Sequence, residues 1–156
     1  MTNPISSDWL LVYIRATMGI ILLYYGWPKI THFTSNAADF VGMGFRPGWF
    51  WGTLIAVVEF FGGIAMLAGL YAELAASLFG FQMIVGAFWK LKIKKPFTDY
   101  SYDLQLLALC VVLMALGAGR FSLALFDATI FLRWGVVIAA IIVGAAFAYS
   151  SKPSAA

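Results

Sequence analysis

Long apolar stretches restrict this chain more than any other feature of its sequence. They cover about residues 9–27, 49–71, 74–90, 104–117 and 128–149, which is most of the 156 residues. A helix that crosses the hydrocarbon core of a bilayer needs about 20 predominantly apolar residues. Because lipid offers the backbone no hydrogen-bond partners, such segments cross as helices. The pattern predicts an all-α, polytopic membrane bundle that forms a single membrane domain.

The composition supports a location in lipid. Hydrophobic residues make up 63% of the chain and charged residues 11%, whereas soluble domains carry about 45–50% and about 25%. The mean hydropathy is +0.91. A soluble domain of this size still exposes roughly a third of its surface, so its core cannot hide this many apolar side chains. The excess is expected to face lipid.

The connections predict how the spans are arranged. In segment 30–48, apolar residues recur at helical spacing, which predicts a short interfacial helix after the first span: Phe33, Ala37, Phe40 and Val41. Only Ala72 and Glu73 separate the second span from the third, so these spans are expected to form an antiparallel hairpin. The run 128–149 is expected to form a fifth, C-terminal transmembrane helix beyond a four-helix core.

Basic residues lie mostly on one predicted side of the membrane. With five spans, that side holds Lys29, Arg46, Lys90, Lys92, Lys94, Lys95 and Lys152. The opposite side holds Arg120, with Arg133 just inside the last span. The positive-inside rule then places loop 90–103 in the cytoplasm and the N-terminus outside. The lysine cluster is interpreted as a topology signal or, together with Lys29, as a contact for anionic lipid or a protein partner.

Charged and polar residues inside the apolar stretches are the candidate functional residues. Arg15 lies in the first span, Glu59 in the second and Gln82 midway along the third. A charge at the bilayer centre costs at least about 2.5–3.5 kcal/mol and usually faces the bundle interior. The three side chains predict an intramembrane polar site, either a lock on helix register or a pocket for a head group, a quinone ring or a proton. A direct Arg15–Glu59 ion pair and one bridged by water or Gln82 are both open.

Glycines share helical faces with these charges. Gly19 and Gly26 follow Arg15 along one face, and Gly62 and Gly63 follow Glu59 along another. Glycine lets a neighbouring helix approach closely in a membrane. The four glycines are therefore predicted to pack helices together.

Other chemistry finds little support in the sequence. His32 is the only histidine and Cys110 the only cysteine, so neither a metal site nor an internal disulfide is predicted. We assign no catalytic residue, expect no covalently bound cofactor and expect no nucleic-acid partner.

Three stretches of the chain occur in a characteristic order over about residues 9–127. The first runs from Arg15 to Lys29 and contains Gly19 and Gly26. The second runs from Glu59 to Leu70 and contains the pair Gly62-Gly63. The third runs from Lys94 to Asp103 and continues to Gly117-Ala-Gly119-Arg-Phe-Ser122. Together they resemble the DoxX family of small membrane proteins. Tyr25 stands where that family often has histidine, and three residues intervene between Ser122-Leu and Asp127.

The resemblance implies a four-helix core in which Arg15, Lys29, Glu59 and Gly63 matter most. Relatives in the family include a subunit of a thiosulfate:quinone oxidoreductase, and others associate with redox or stress-response assemblies. We therefore expect a subunit that supports or anchors a membrane oxidoreductase, is not catalytic alone, and takes a quinone or lipid as ligand. Its expected partners are the bilayer and other membrane or redox subunits, in the inner membrane of a prokaryote.

Two alternatives to this function are open. A transporter of protons or small molecules would have a water-lined path joining Arg15, Glu59 and Gln82 to one face. A purely structural subunit of a larger complex would have a dry, closed core.

Overall fold

A computed structural model describes residues 4–123 and, beyond them, residues 134–135, 138–139 and 142. Within this part the chain forms helices and no strand: α1 (Pro4–Thr31), α2 (Phe33–Gly42), α3 (Gly48–Ala68), α4 (Ala72–Lys92) and α5 (Phe97–Leu116). The predicted all-α bundle and the short helix after the first span are confirmed. Most of the predicted fifth span, residues 128–149, lies outside the described residues.

The long helices α1, α3, α4 and α5 are each apolar and long enough to cross a membrane. Many of their large apolar side chains point away from the bundle, such as Tyr24 (74% exposed) and Phe61 (56% exposed). In water such a surface would aggregate, whereas in lipid it costs nothing to expose. The chain is therefore a membrane protein with several spans.

The first helix is longer than predicted. It was expected to end at Trp27, but it continues through Pro28 to Thr31. Pro28 cannot donate a backbone hydrogen bond to the carbonyl oxygen of Tyr24, four residues earlier, and membrane helices tolerate such a missing bond. In the turn that follows, the Thr31 hydroxyl donates to the carbonyl oxygens of Trp27 (3.0 Å) and Pro28 (3.2 Å).

The connections beside α4 also differ from the prediction. The link between α3 and α4 lies at residues 69–71 instead of at Ala72 and Glu73, because Gly69 adopts a left-handed conformation (φ 71°) that ends α3. The α5 helix begins at Phe97 instead of near residue 104, because Pro96 precedes its first turn in an extended conformation. Most of the predicted polar loop 90–103 is therefore helical.

The long helices pack in pairs, and the contact between α1 and α5, which we call the weak seam, is small. Helix α1 packs along α3, α5 packs along α4, and α3 contacts α4, whereas α1 and α5 touch at few places. Because the spans alternate in direction, α2 and residues 93–96 lie at one end of the bundle, which we call the basic end. Residues 69–71 and 117–123 lie at the opposite end.

Glycines bring α1 and α3 into backbone contact. A Cβ atom at Gly26 would lie 2.7 Å from the backbone nitrogen of Phe60, and one at Gly63 would lie 3.0 Å from the carbonyl oxygen of Gly19. Gly62 differs, since its Cβ would meet only the Ala75 side chain at 3.9 Å. Gly19, Gly26 and Gly63 thus permit the close approach of the two helices.

We predict that Gly26→Ala lowers the free energy of unfolding by about 1–3 kcal/mol, the usual cost of overpacking a core. Alanine favours helices more than glycine does, so intrinsic propensity cannot cause the loss. Unfolding of the detergent-solubilised protein measures it. The matched control, Gly62→Ala, should be neutral or slightly stabilising. Equal stability of the two variants would contradict the close packing of α1 on α3.

Candidate functional site

The carboxylate of Glu59 is the centre of a polar cluster between helices. Glu59 is 2% exposed in the middle of α3. Its Oε1 atom accepts hydrogen bonds from the Lys29 ammonium of α1, at 2.5 Å, and from the Gln82 side-chain amide of α4. The structure therefore brings together two residues of the predicted polar site, Glu59 and Gln82. It adds Lys29, which the sequence had suggested as a surface contact.

A second ion pair lies nearby, between α4 and α5. The Lys90 ammonium lies 2.9 Å and 2.7 Å from the two carboxylate oxygens of Asp103, which is 5% exposed. Lys90 also donates to the Asp99 carbonyl oxygen at 3.2 Å. Sequence reasoning did not identify Asp103 as a site residue. Its position directly before Leu104, at the margin of the predicted span, was the available signal.

Both ion pairs line one cavity of about 300 Å³, which we call the paired-charge cavity. Its walls are otherwise apolar or aromatic: Ile21, Leu22, Tyr25, Phe79, Met83, Tyr102 and Leu106. A neighbouring cavity of about 250 Å³ shares Lys29, Met83, Lys90 and Asp103 with it. We call this neighbour the aromatic cavity, because its lining includes Phe40, Phe45, Trp51, Phe81 and Trp89.

The paired-charge cavity lies along the weak seam between α1 and α5. Tyr25 of α1 and Tyr102 of α5 both line it, and their ring centroids are 6.5 Å apart. The two tyrosines are 48% and 40% exposed. They are therefore placed between the cavity and the lipid-facing surface.

The charges of the cavity balance one another. Lys29 and Lys90 carry two positive charges, and Glu59 and Asp103 carry two negative ones. The cluster also holds hydrogen-bond acceptors, since Glu59 Oε2 and Gln82 Oε1 are buried without a partner among the described residues. Buried polar atoms are normally hydrogen-bonded. The arrangement suits a neutral ligand that offers both acceptors and hydroxyl donors.

Arg15 lies elsewhere, at the opposite end of the bundle. It is 3% exposed and donates through Nη2 to the carbonyl oxygen of Phe121 at 2.8 Å. Glu59 packs against Gly26 of α1, which is eleven residues beyond Arg15, or about 16 Å along the helix axis. The structure does not bring Arg15 to Glu59.

Side chains at the opposite end hold the segment that follows α5. Glu73 Oε1 accepts a hydrogen bond from the Ala118 amide at 3.0 Å, and Asp8 Oδ1 accepts one from the Arg120 amide at 3.0 Å. With the Arg15–Phe121 bond, these contacts tie residues 118–121 to α1 and α4. Arg15 therefore has a structural contact here, distinct from the Glu59 cluster.

The predicted surface lysines divide into groups. Lys29 and Lys90 form the ion pairs of the cavity, and Lys95 forms an exposed pair with Asp99 at 3.7 Å. Lys92 ends α4 and Lys94 follows it in the connection to α5. Among the described residues, no group of His, Cys, Asp and Glu is arranged to hold a metal ion. Cys110 is fully buried in the apolar core.

Comparison with known proteins gives one result. The family model described as DoxX matches residues 10–91. The match extends from α1 into the last turn of α4, so it includes Lys29, Glu59, Gln82 and Lys90, while Asp103 lies beyond it. No curated protein and no solved structure matches the chain.

We predict that Lys29→Met destabilises the protein by up to about 3 kcal/mol, because it leaves the buried Glu59 carboxylate without its counter-ion. The lower end of the range for buried pairs applies, since the Lys29 side chain is 29% exposed. The double variant Lys29→Met/Glu59→Leu should recover most of the loss. Unfolding measurements on both variants give the comparison.

Lys95→Met is the matched control for this prediction. It removes one partner of the exposed Lys95–Asp99 pair, and such pairs contribute about 0–1 kcal/mol. Equal losses from Lys29→Met and Lys95→Met would contradict a structural role for the buried pair.

Proposed function

The chain belongs to the DoxX family of integral membrane proteins, and from this premise we propose that it is a membrane subunit that supports or anchors an oxidoreductase. In this role it binds the head group of a quinone in the paired-charge cavity. The observation that carries the proposal is the joint placement of Lys29–Glu59 and Lys90–Asp103 on the wall of one cavity between the apolar helices.

The chemistry of the cavity matches a quinone head group. The carbonyl oxygens of a quinone accept hydrogen bonds, which the ammonium groups of Lys29 and Lys90 can donate. The hydroxyl groups of the reduced form donate hydrogen bonds, and Glu59 Oε2 is a buried acceptor without a partner among the described residues. The ring itself is apolar, as are the wall residues Phe79, Met83 and Leu106.

The balanced charge argues against a small anion as the ligand. Each lysine already faces a carboxylate at short distance, so an anion would meet as much negative as positive charge. A neutral head group escapes this repulsion. The chain also has a single cysteine, which cannot cycle through an internal disulfide. The proposal therefore assigns the supply of electrons to a partner protein.

A layer of apolar side chains argues against a transporter with a path through the bundle. Met18, Met66, Cys110 and Leu113 are fully buried and lie along their helices between the Glu59 cluster and the Arg15 end. Water and ions avoid such a layer. A purely structural subunit is disfavoured too, because its core is expected to be dry and closed, whereas this bundle has a cavity lined by ion pairs.

The proposed location is the inner membrane of a prokaryote, with the basic end in the cytoplasm and the N-terminus outside. Arg46 and the lysines near the α4–α5 connection lie at the basic end, whereas Arg120 lies at the other. Such an asymmetry is the usual topology signal.

We predict that the purified protein binds a photoreactive ubiquinone or menaquinone analogue at residues of the paired-charge cavity. The double variant Lys90→Met/Asp103→Leu removes one ion pair without leaving a lone buried charge, and it should weaken binding about tenfold or more. A hydrogen bond to a charged group contributes about 1.5–3 kcal/mol. Competition by unlabelled quinone and mass spectrometry of the cross-linked peptides measure affinity and site.

The control is Lys95→Met/Asp99→Leu, which removes the exposed pair between the α4–α5 connection and the first turn of α5 and should leave affinity unchanged. Purification in mild detergent followed by mass spectrometry should also recover a redox protein with the chain. Two results together would contradict the proposed function: cross-linking that unlabelled quinone does not compete away, and a monodisperse chain that purifies without any partner.

We predict that a reporter inserted at residues 93–96 is active only as a cytoplasmic reporter, because the basic end resists translocation. Paired fusions of a cytoplasm-active and an exterior-active reporter at this site provide the measurement. Activity of the exterior reporter would reverse the orientation.

A further inference from the structure

Lys29 lies at a junction of three cavities. It lines the paired-charge cavity, the aromatic cavity and a third, open groove of about 400 Å³ at the basic end. We call this third cavity the α2 groove. All of its lining residues except Pro28 carry a polar side-chain group: Tyr25, Lys29, His32, Ser35, Asn36 and Asp39.

The α2 groove opens at the surface of the basic end. His32 and Asp39 are exposed, and the groove is bordered by α2 and by the last turn of α1 at the basic end. Polar side chains at the surface keep such a groove hydrated. Water can therefore reach the Lys29 side chain, which is 29% exposed.

The same lysine contacts a carboxylate that is almost fully buried. The Glu59 side chain is only 3% exposed, and its Oε1 atom lies 2.5 Å from the Lys29 ammonium. Gln82, the other hydrogen-bond donor to Glu59, is an amide and does not exchange a proton with it in the way that an ammonium group can. Lys29 thus connects the hydrated groove with the buried carboxylate.

The route does not continue toward the opposite end. Beyond the paired-charge cavity the described core is apolar and closely packed, with Met18, Met66, Cys110 and Leu113 at 0% exposure. Proton transfer needs polar groups or water at hydrogen-bond spacing. The geometry therefore favours proton access from the basic end.

We propose that the α2 groove and Lys29 form a one-sided proton inlet to Glu59. In this step the Lys29 ammonium gives its proton to the Glu59 carboxylate. The resulting Lys29 amine then takes a proton from a hydronium ion in the groove, beside His32 and Asp39, and a water molecule is left. No electron is transferred, and the reverse sequence releases a proton to the same side.

The purpose of the inlet rests on the proposed function, because the reduction of a quinone consumes protons. The proton route itself does not require a bound quinone. Several ionisable groups face Glu59 or its route, namely Tyr25 and Lys29 on α1, Lys90 on α4, Tyr102 and Asp103 on α5, and His32 and Asp39 at the groove. A test must therefore report on Glu59 itself.

Dicyclohexylcarbodiimide provides such a report, because this lipid-soluble reagent adds covalently to protonated carboxyl groups in membranes. The full chain is reconstituted in vesicles in one orientation, and the pH is set separately on each side. Peptide mass spectrometry then gives the labelled fraction of Glu59. Lowering the pH at the basic end alone should raise the labelling rate, approaching about tenfold per pH unit where the carboxylate is mostly ionised. Lowering it at the opposite end should not.

Lys29→Arg separates a relay from a simple ion pair. Arginine keeps the positive charge beside Glu59 but does not release its proton in proteins. The response of Glu59 labelling to a pH jump at the basic end should slow by about 10²-fold, a contribution typical of a positioned proton donor. Lys95→Arg, the matched exposed control, should respond like the unchanged chain.

The proposal is overturned if Glu59 labelling follows the pH at the opposite end, follows both sides alike or ignores pH. An unaltered response in Lys29→Arg would overturn it as well. Failure of the quinone experiment with sided labelling intact would reject the proposed ligand and keep the inlet, so the two failures are distinguishable.

Discussion

The ion pair between Lys29 and Glu59 is the interaction on which the arrangement of this bundle depends. A carboxylate in the middle of an apolar helix is costly unless it is paired and hydrogen-bonded. Glu59 meets this requirement because it accepts hydrogen bonds from Lys29, near the end of α1, and from Gln82, in the middle of α4. Because these groups belong to different helices, satisfying one carboxylate sets the register of α1, α3 and α4 together. Glycines at the α1–α3 contact make the approach possible.

The pair also contributes to a difference between the two ends of the bundle in the kinds of side chains they hold. Ionic and aromatic side chains gather toward the basic end, where the paired-charge cavity, the aromatic cavity and the α2 groove adjoin one another. An apolar layer follows, and Arg15 and Glu73 then hold the segment after α5 at the opposite end. Glu59 consequently adjoins cavities at the basic end and at the α1–α5 seam, and the apolar layer separates it from the opposite end.

Much of the fold could be predicted because each span is a local property. About 20 apolar residues in a row form a helix in lipid irrespective of their neighbours, and the spacing of Phe33, Ala37 and Phe40 was enough to predict α2. The helix ends were harder. They depended on single residues whose effect is set by context: Pro28 was tolerated inside α1, Gly69 ended α3, and Pro96 began α5. The predicted fifth span lies mostly outside the described residues and stays a prediction.

The sequence by itself determined that this chain is a membrane bundle and that Glu59 and Gln82 face its interior, since polar groups within apolar helices avoid lipid. Only the tertiary structure decided which charges meet. Helix register and tilt place Lys29, not Arg15, beside Glu59, and they bring Asp103 to Lys90 across the α4–α5 hairpin. Pairing between helices depends on offsets of a few ångströms in depth. Those offsets are set by the packing of whole helices, so a short stretch of sequence does not predict them.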